Sequence, residues 1–389
     1  MVSLQQEMLR FSFPEVHSAA VCDVRFCRTL RVPDDNNAYP LPPALGVFPL
    51  RAVDDVADRL PEAWHIHGGV FVPMYQSEAL WMRFLPQPEV VEPPPYVPPP
   101  SPMFDVFASW GIDAKEIEEL REIWSPKAAD ERLERLERRA LRALRRSQSR
   151  VSVPYPFAIK VATGKINAIS GLPWQMELCS DPQDYLVVPN QPWFDGYNVA
   201  KGLVRQFVAT PFGSGHSVEQ QLTGAVEHGG LQIAVYPMKA DVYAAYREQY
   251  LRKGKLRSMA AVTEEMELSV GGLIRQDIYQ DPFGIDAWDQ GQVQRCFVHL
   301  LNSEQYQAVT GERSPRAPFR AQDYAKAGLP WFHYYSDDPV IGGAAALAKV
   351  QSVAAVTATQ TGKPMPDNAP LGPLPVEILG EKQVRSGEF

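Results

Sequence analysis

Residues 180–215 read SDPQDYLVVPNQPWFDGYNVAKGLVRQFVATPFGSG, and residues 228–239 continue the pattern with HGGLQIAVYPMK. Short runs of β-branched and aromatic residues alternate here with Pro, Gly, Asn and Asp, which mark turns. This alternation is typical of short strands joined by ordered polar loops. The stretch therefore predicts a strand-built surface whose loops carry Trp and Asp side chains.

The same pattern extends to both sides of this stretch. Thr163-Gly164 separates two apolar runs and predicts a β-hairpin. Strands are predicted at 69–74, 79–84, 157–162, 165–170, 185–188, 203–209, 231–236, 273–279 and 295–301. Short strands at this spacing predict a mainly β protein with some α structure (α+β), built as an antiparallel β-sandwich or jelly-roll-like body with a helical arm.

Changes in composition divide the chain into five segments. They are an N-terminal unit (1–85), a proline-rich linker (86–104), a charged helical arm (105–150), a β-rich main body (151–305) and a C-terminal segment that packs on the body (306–389). Nine of the residues between 86 and 102 are proline. We predict that this linker is a semi-rigid polyproline II spacer that does not enter a sheet.

The arm has the strongest helical pattern of the chain. Asp113 and Glu116 form a capping-box-like pair, and acidic residues precede a run of arginines that ends at Arg150. The run contains no interleaved aromatic residues, so we interpret it as a solvated helix face or a surface for a partner helix. Shorter helices are predicted at 51–60, 240–266 and 344–355.

Composition narrows the class of protein. The 389 residues favour two domains, and a net charge of −8 argues against nucleic acid as the main partner. No apolar run reaches 18 residues and no basic–apolar leader is visible, so we expect neither a membrane partner nor secretion. The four scattered cysteines (Cys22, Cys27, Cys179 and Cys296) fit reduced thiols of a cytoplasmic protein.

Two pentads look alike. Residues 202–206 read GLVRQ and residues 272–276 read GLIRQ. Coincidence is sufficient to explain this similarity in a chain of this length. If the repeat is real, it predicts equivalent strands in two sheets.

An acidic and aromatic set lies within and beside the opening stretch. Tryptophan faces beside carboxylate acceptors suit a sugar-binding groove, and a glycosidase needs two carboxylates across such a groove. The predicted ligand-binding residues are Trp174, Trp193 and Asp195, and the catalytic candidates of an enzyme are Asp181, Asp184 and Asp195. The structural alternative is a pair of rigid corners made by Pro182 and Pro192.

Two further sets are weak metal candidates. Asp281, Asp286 and Asp289 surround a glycine turn and offer a calcium site, but their spacing is not that of an EF-hand and Asp side chains also cap turns. His65 and His67 would point to the same side of a strand, which suits a metal, yet no third ligand is evident nearby. We expect no cofactor.

Motifs of nucleophilic and phosphate chemistry are missing from the sequence. There is no Gly-x-Ser-x-Gly elbow, no P-loop and no dinucleotide fingerprint, and residues 213–216 (GSGH) are too short to replace an elbow. This argues against ordinary NTPases and Rossmann dehydrogenases.

Six blocks resemble those of a family of microbial proteins without an assigned activity. They lie at residues 46–51, 181–185, 191–196, 205–209, 230–232 and 327–332. The similarity covers most of residues 45–350. It implies that the N-terminal unit and the body belong together, and it brings no activity, cofactor or catalytic residue.

These observations favour a non-catalytic protein of the cytosol that works in structure, self-assembly or binding. Its expected partner is a second copy of the chain, contacted through residues 105–150 and through sheet edges. The alternative is a hydrolase, with a glycan as one candidate substrate, that uses the Asp and Trp side chains of the loops.

Overall fold

The structure is a computed structural model of the chain. It describes residues 1–35, 37–91, 113, 115, 151–225, 228–253, 269–336, 338–365 and 367–380. The chain forms two compact units. The larger unit contains Met1–Gln87, Pro154–Tyr246 and Ser258–Phe389, and the smaller unit contains Pro88–Val153 and Arg247–Arg257.

Ten described strands of the larger unit form one sheet. They are β1 (Val2–Gln5), β2 (Met8–Ser12), β3 (Val21–Thr29), β4 (Ala38–Tyr39), β5 (Ala44–Val47), β8 (Ala79–Pro86), β14 (Trp193–Phe194), β15 (Gly196–Ala200), β16 (Leu203–Val208) and β18 (Ser269–Arg275). Their order is β1-β2-β3-β8-β16-β18-β4, with β5 paired to β3, β14 to β8 and β15 to β16.

Seven of the described strands form the second sheet. They are β6 (Arg51–Ala52), β7 (Val70–Met74), β11 (Phe157–Thr163), β12 (Ile166–Asn167), β13 (Leu186–Val188), β17 (Leu231–Pro237) and β19 (Gln294–Asn302). Their order is β12-β11-β17-β19-β7-β6, with β13 paired to β11. Two small sheets pair β9 (Pro88–Val91) with β10 (Val151–Pro154) and β20 (Trp331–Tyr335) with β21 (Val376–Gly380).

The described helices are short. They are α1 (Glu62–His67), α2 (Val218–Thr223), α3 (Ala240–Lys253), α4 (Ser303–Thr310), α5 (Ala321–Lys326), α6 (Ala345–Ala348) and α7 (Val353–Thr361), with 3₁₀ segments at Val53–Arg59, Ile285–Ala287 and Gln290–Gln292. None of the helices in the described residues is long and apolar enough to cross a membrane.

The two large sheets meet in the core of the larger unit. Every residue of β11 and β17 is buried, so burial does not alternate along either strand. The Tyr197 hydroxyl on β15 donates to Thr163 Oγ1 on β11 at 3.0 Å, which joins the sheets directly. The predicted class, mainly β with α, is confirmed.

Most strand pairs are antiparallel, as expected, but both large sheets are mixed. β4 pairs with β18 in parallel, and β7 pairs with β19 in parallel. In both cases one partner comes from the first 85 residues and the other from the body. The long chain between them permits the crossover that parallel pairing needs.

The first 85 residues share both sheets with the body, although the sequence marks them as a separate unit. β8 pairs with β3 on one side and with β16 on the other, and β7 pairs with β19. The N-terminal strands β1, β2 and β3 were not predicted. Burial in β2 alternates, but its five residues are too short for a clear periodic signal.

The proline-rich linker begins differently from the prediction. Pro88–Val91 forms β9, which pairs with β10 in the smaller unit. Both strands of a two-stranded sheet are edges, so the missing N–H of a proline is tolerated there. The Arg247 guanidinium also contacts Glu89 Oε2 at 2.9 Å in this unit. The rest of the linker and the arm lie outside the described residues, apart from Asp113 and Lys115.

Two helix predictions need correction. Residues 51–60 form β6 and a 3₁₀ segment with a break at Val56, where one regular helix was expected. Residues 344–355 contain α6 and the start of α7 in place of one Ala-rich helix. The Ser352 hydroxyl accepts from Ala355 N at 3.2 Å and so caps α7 as a new helix. The insert at 240–266 is helical through Lys253, and its remainder lies outside the described residues.

The two similar pentads lie side by side in one sheet and not in two. β16 and β18 are antiparallel, with Val204 opposite Ile274. Val204 and Ile274 are also the central residues of the two pentads. A local two-fold axis through this pair therefore relates residues 203–205 to residues 273–275, and a β-bulge between Arg205 and Phe207 interrupts it.

The C-terminal segment packs on the body through a close backbone approach. Asn198 Nδ2 donates to the carbonyl of Gly342 at 2.9 Å, and Ala344 N donates to the carbonyl of Asn198 at 2.9 Å. A Cβ on Gly343 would lie 2.1 Å from Ala200 Cα, whereas a Cβ on Gly342 would meet nothing within 4 Å.

This contrast predicts different effects for two neighbouring substitutions. Gly343→Ala should destabilise the protein by about 1–3 kcal/mol or more, because two backbones must move apart. Gly342→Ala is the matched control and should change the free energy of unfolding by less than about 0.5 kcal/mol. Urea unfolding of both variants measures the difference, and equal values would contradict the packing described.

Candidate functional site

Part of the predicted Asp and Trp set surrounds a buried lysine. Lys160 on β11 is fully buried, and its ammonium lies 2.6 Å from Asp184 Oδ2. The same ammonium donates to the carbonyls of Gln175 and Glu177 at 2.9 and 2.6 Å, and it lies 5.4 Å from the ring centre of Trp174. All three of its hydrogens therefore have acceptors.

The lysine holds the loop that precedes β13 on the sheet. Asp184 Oδ1 also accepts from Cys179 N at 2.9 Å. Burial raises the pKa of Asp184, and the bond from Lys160 opposes that rise. Asp184 and Trp174 thus serve the structure of the loop, while Asp181 is exposed beside the cis peptide to Pro182.

Asp195 occupies a different, fully enclosed position between β14 and β15. Its Oδ2 accepts from Gln276 Nε2 at 2.6 Å, and its backbone N donates to Gln276 Oε1 at 3.1 Å. Burial raises the pKa of Asp195 to about 7, with the Gln276 bond acting in the opposite direction. Near neutral pH this carboxyl is therefore present in both protonation states.

Gln276 also forms part of the floor of a small cleft, which is partly open to solvent and encloses about 10 Å³, room for about one water molecule. The other floor residue, Gln191, donates from Nε2 to the carbonyls of Trp193 and Asp277 at 3.0 and 3.3 Å and accepts from Tyr279 N at 3.2 Å. The amides of the floor are therefore held by bonds within the protein.

Aromatic and charged side chains also line the cleft. Trp193 and Tyr334 meet edge to face with ring centres 4.9 Å apart. Arg275 and Asp277 flank Gln276 in the sequence and line the same cleft. Within the part of the chain that the structure describes, neither of these two charged side chains has a hydrogen bond or ion pair.

The structure therefore separates the predicted ligand-binding residues. Trp193 lines the cleft, and Asp195 lies beneath it behind Gln276, while Trp174 belongs to the lysine cluster. In the described ranges no hydrogen bond, ion pair or ring contact joins the two sets. Arg275 and Tyr334 were missed, because they come from separate segments with no local motif.

The three aspartates of the calcium hypothesis have separate structural tasks. Asp281 Oδ2 accepts from the Tyr185 hydroxyl at 2.6 Å and from Trp288 Nε1 at 2.9 Å, and its Oδ1 accepts from Phe283 N. Asp289 caps the 3₁₀ segment Gln290–Gln292, and Asp286 is exposed. Among the described residues no group of three His, Cys, Asp or Glu could hold a metal.

His65 and His67 lie on α1 and not on a strand, so their side chains do not share a face. Pro61 precedes the first residue of this helix, a position where proline is compatible with a helix start. His67 instead contacts His228, with ring centres 4.4 Å apart, and His299 lies 6.5 Å away. Burial lowers the pKa of His299 to about 4, which favours the neutral ring.

No protein-family model matches this chain, and no curated protein or solved structure is significantly similar to it. The resemblance of the six sequence blocks therefore stays a prediction. The functional argument rests on the geometry of the described residues.

A substitution of Lys160 tests whether the Lys160–Asp184 pair stabilises the fold. Lys160→Met leaves Asp184 buried without its cation, so we expect a loss of about 3–5 kcal/mol in the free energy of unfolding at pH 8. The loss should be smaller at pH 5, where the unpaired carboxyl can take up a proton. Lys239→Met, at an exposed lysine, is the control, and equal urea midpoints for the two variants would contradict the assignment.

Proposed function

We propose that the protein works without turnover, as a cytosolic protein that associates with a second copy of itself. The observation that carries the proposal is the open edge of the ten-stranded sheet at β1. In the described part of the chain β1 has one neighbour, β2. A strand with an unpaired side is a template for pairing with another chain.

The register of the first hairpin shows which groups face outward. Ser12 N donates to the carbonyl of Met1 at 3.1 Å, and the amino group of Met1 donates to the carbonyl of Ser12 at 2.6 Å. Bonded and non-bonded pairs alternate along an antiparallel ladder, so Ser3 and Gln5 also bond to β2. The backbone N–H and C=O groups of Val2 and Leu4 therefore point away from the sheet.

This edge is complementary to itself. If two copies of β1 pair in antiparallel about Ser3, Val2 of one copy lies opposite Leu4 of the other. Both outward pairs then exchange two hydrogen bonds, which gives four bonds related by a two-fold axis. The residues Val2–Gln5 carry no charged side chain that would oppose this approach.

The small number of hydrogen bonds between two β1 strands limits the free energy of association that we expect. Four hydrogen bonds contribute about 2–6 kcal/mol in total, while association costs at least about 4 kcal/mol in lost freedom. The edge alone therefore supports only weak, concentration-dependent pairing. The predicted contact through residues 105–150 would add to it, and that segment lies outside the described residues apart from Asp113 and Lys115.

A single proline tests the edge. Leu4→Pro removes an outward N–H and no bond within the hairpin, so we expect it to abolish concentration-dependent growth of the solution mass in light scattering. Leu4→Ala is the matched control, because it shortens the side chain and keeps the N–H. A wild-type protein that stays monomeric, or equal behaviour of both variants, would refute pairing through β1.

The hydrolase alternative rests on Asp195, because a carboxyl with a pKa near 7 suits a general acid. Asp195 is almost fully buried, however, and its Oδ2 already accepts from Gln276. Turnover of glycan substrates by the wild type that Asp195→Asn abolishes would support a hydrolase. A wild type without turnover, or turnover that survives the substitution, would remove this alternative.

The same substitution makes a prediction about stability. The pKa of Asp195 rises from 3.8 in an exposed carboxyl to about 7 in the folded protein. The folded state thus keeps a proton that the unfolded state releases. The contribution of Asp195 to the free energy of unfolding is therefore fully present below pH 4. It decreases by roughly 4 kcal/mol as the pH rises to 7.

The asparagine of Asp195→Asn does not titrate, so the free energy of unfolding of this variant should not show this decrease with rising pH. Relative to wild type, its free energy of unfolding should increase between about pH 4 and about pH 8. Asp286→Asn, at an exposed aspartate, should follow the wild type. Urea unfolding at both pH values measures the difference, and parallel pH profiles of Asp195→Asn and wild type would contradict it.

A further inference from the structure

We propose that Met365 is a site of reversible oxidation by a peroxide, and that its sulfoxide oxygen accepts hydrogen bonds from the buried guanidinium of Arg31. Met365 belongs to a C-terminal strap (residues 363–365 and 367–371) that lies along the residues following β3. Oxidation would therefore hold the strap more firmly on the body. The strap is separate from the β1 edge, so its test is independent of the proposed self-association.

The strap is joined to the body by three hydrogen bonds besides the contact at Met365. Asp34 N donates to Asn368 Oδ1 at 2.6 Å, and Asn368 Nδ2 donates to the carbonyl of Asp34 at 2.9 Å. Leu371 N donates to the Tyr39 hydroxyl at 3.3 Å. These bonds connect residues that are 332 to 334 positions apart in the sequence, so they tie one end of the chain to the other.

Arg31 is a buried cation beside the strap. Its side chain is only 10% exposed, and its Nη2 donates to the Met365 sulfur at 3.3 Å. Its Nη1 lies 3.8 Å from Asp367 Oδ2, which is longer than a hydrogen bond. Burial lowers the pKa of Arg31, and the charge of Asp367 opposes that change. A thioether sulfur, which is a weak acceptor, is therefore the nearest partner of this guanidinium on the strap.

Two further nitrogens of the same guanidinium lack an acceptor. Among the residues that the structure describes, neither Nε nor Nη1 of Arg31 has a hydrogen-bond partner, and both atoms are buried. A buried donor of a charged group is costly when it is left without a bond. A sulfoxide converts the apolar side chain of methionine into a polar one with an acceptor oxygen. At Met365 this oxygen would lie beside donors that need it.

The surroundings of Met365 permit the reaction. Its side chain is half-buried, so a peroxide in solution can reach it, and it packs against Ala79, Val208 and Val353. With hydrogen peroxide, the sulfur lone pair forms an S–O bond, the O–O bond breaks and water leaves. The sulfur loses the two electrons that the peroxide gains, and a methionine sulfoxide reductase reverses the change.

Met176 offers a comparison within the same chain. Its sulfur accepts from Arg295 Nη1 at 3.9 Å, but Arg295 is exposed and its guanidinium lies over the ring of Phe297 at 4.8 Å. Water already satisfies the donors of an exposed guanidinium, so a sulfoxide oxygen adds little there. Burial of the arginine is the property that distinguishes the contact at Met365.

The test treats the full-length protein with hydrogen peroxide and locates the added oxygen by peptide mass spectrometry. We expect oxidation of Met365 to raise the urea midpoint of the wild type by about 0.5 M, because a buried charged group gains a hydrogen bond. Hydrogen exchange at Asp34 N and Leu371 N should become slower at the same time. Treatment with a methionine sulfoxide reductase should restore the original midpoint.

Three variants assign the effect to this contact. Arg31→Leu keeps an apolar side chain and removes the donors, so oxidation should lower its urea midpoint. Met365→Leu should lose the rise, whereas Met176→Leu should keep it. Absence of oxygen on Met365 would overturn the proposal, as would a wild-type midpoint that stays constant or falls on oxidation. A rise that persists in Arg31→Leu or in Met365→Leu would also overturn it.

Discussion

The packing around the strand pair β16–β18 depends on two buried glutamines, Gln206 and Gln276, which are the last residues of the two similar pentads. Gln206 accepts from Val32 N at 2.8 Å and donates to the carbonyl of Leu30 at 2.8 Å. Gln276 bonds in the same reciprocal way to the backbone and carboxylate of Asp195. A buried amide without partners is costly, so each glutamine fixes the segment that satisfies it. One holds the chain after β3, and the other holds the floor of the cleft.

Strands inside the sheets could be predicted from sequence, whereas their partners could not. Phe157–Thr163 and Leu231–Pro237 are mostly apolar runs of strand-forming residues, and the Thr163-Gly164 turn makes the first of them part of a hairpin. Pairing between strands more than a hundred residues apart has no local signal. The N-terminal residues were therefore assigned to their own unit, although β8 lies between β3 and β16.

The sequence identified the aspartates of the loops but did not determine their roles. Carboxylates in Pro- and Trp-rich loops have the same pattern whether they bind a ligand or hold the loop. In Asp184 and Asp281 the second role is the observed one, because their oxygens are occupied by Lys160, Tyr185 and backbone N–H groups. The cleft was not predicted, because Trp193, Arg275 and Tyr334 come together only through the sheets.

The β1 edge and the cleft beside Trp193 lie at different places along the ten-stranded sheet. Four strands separate β1 from β18 in the sheet order, and at about 4.8 Å per strand this places β1 about 24 Å from the strand that leads into the cleft. Pairing through β1 would therefore leave both clefts of a dimer open.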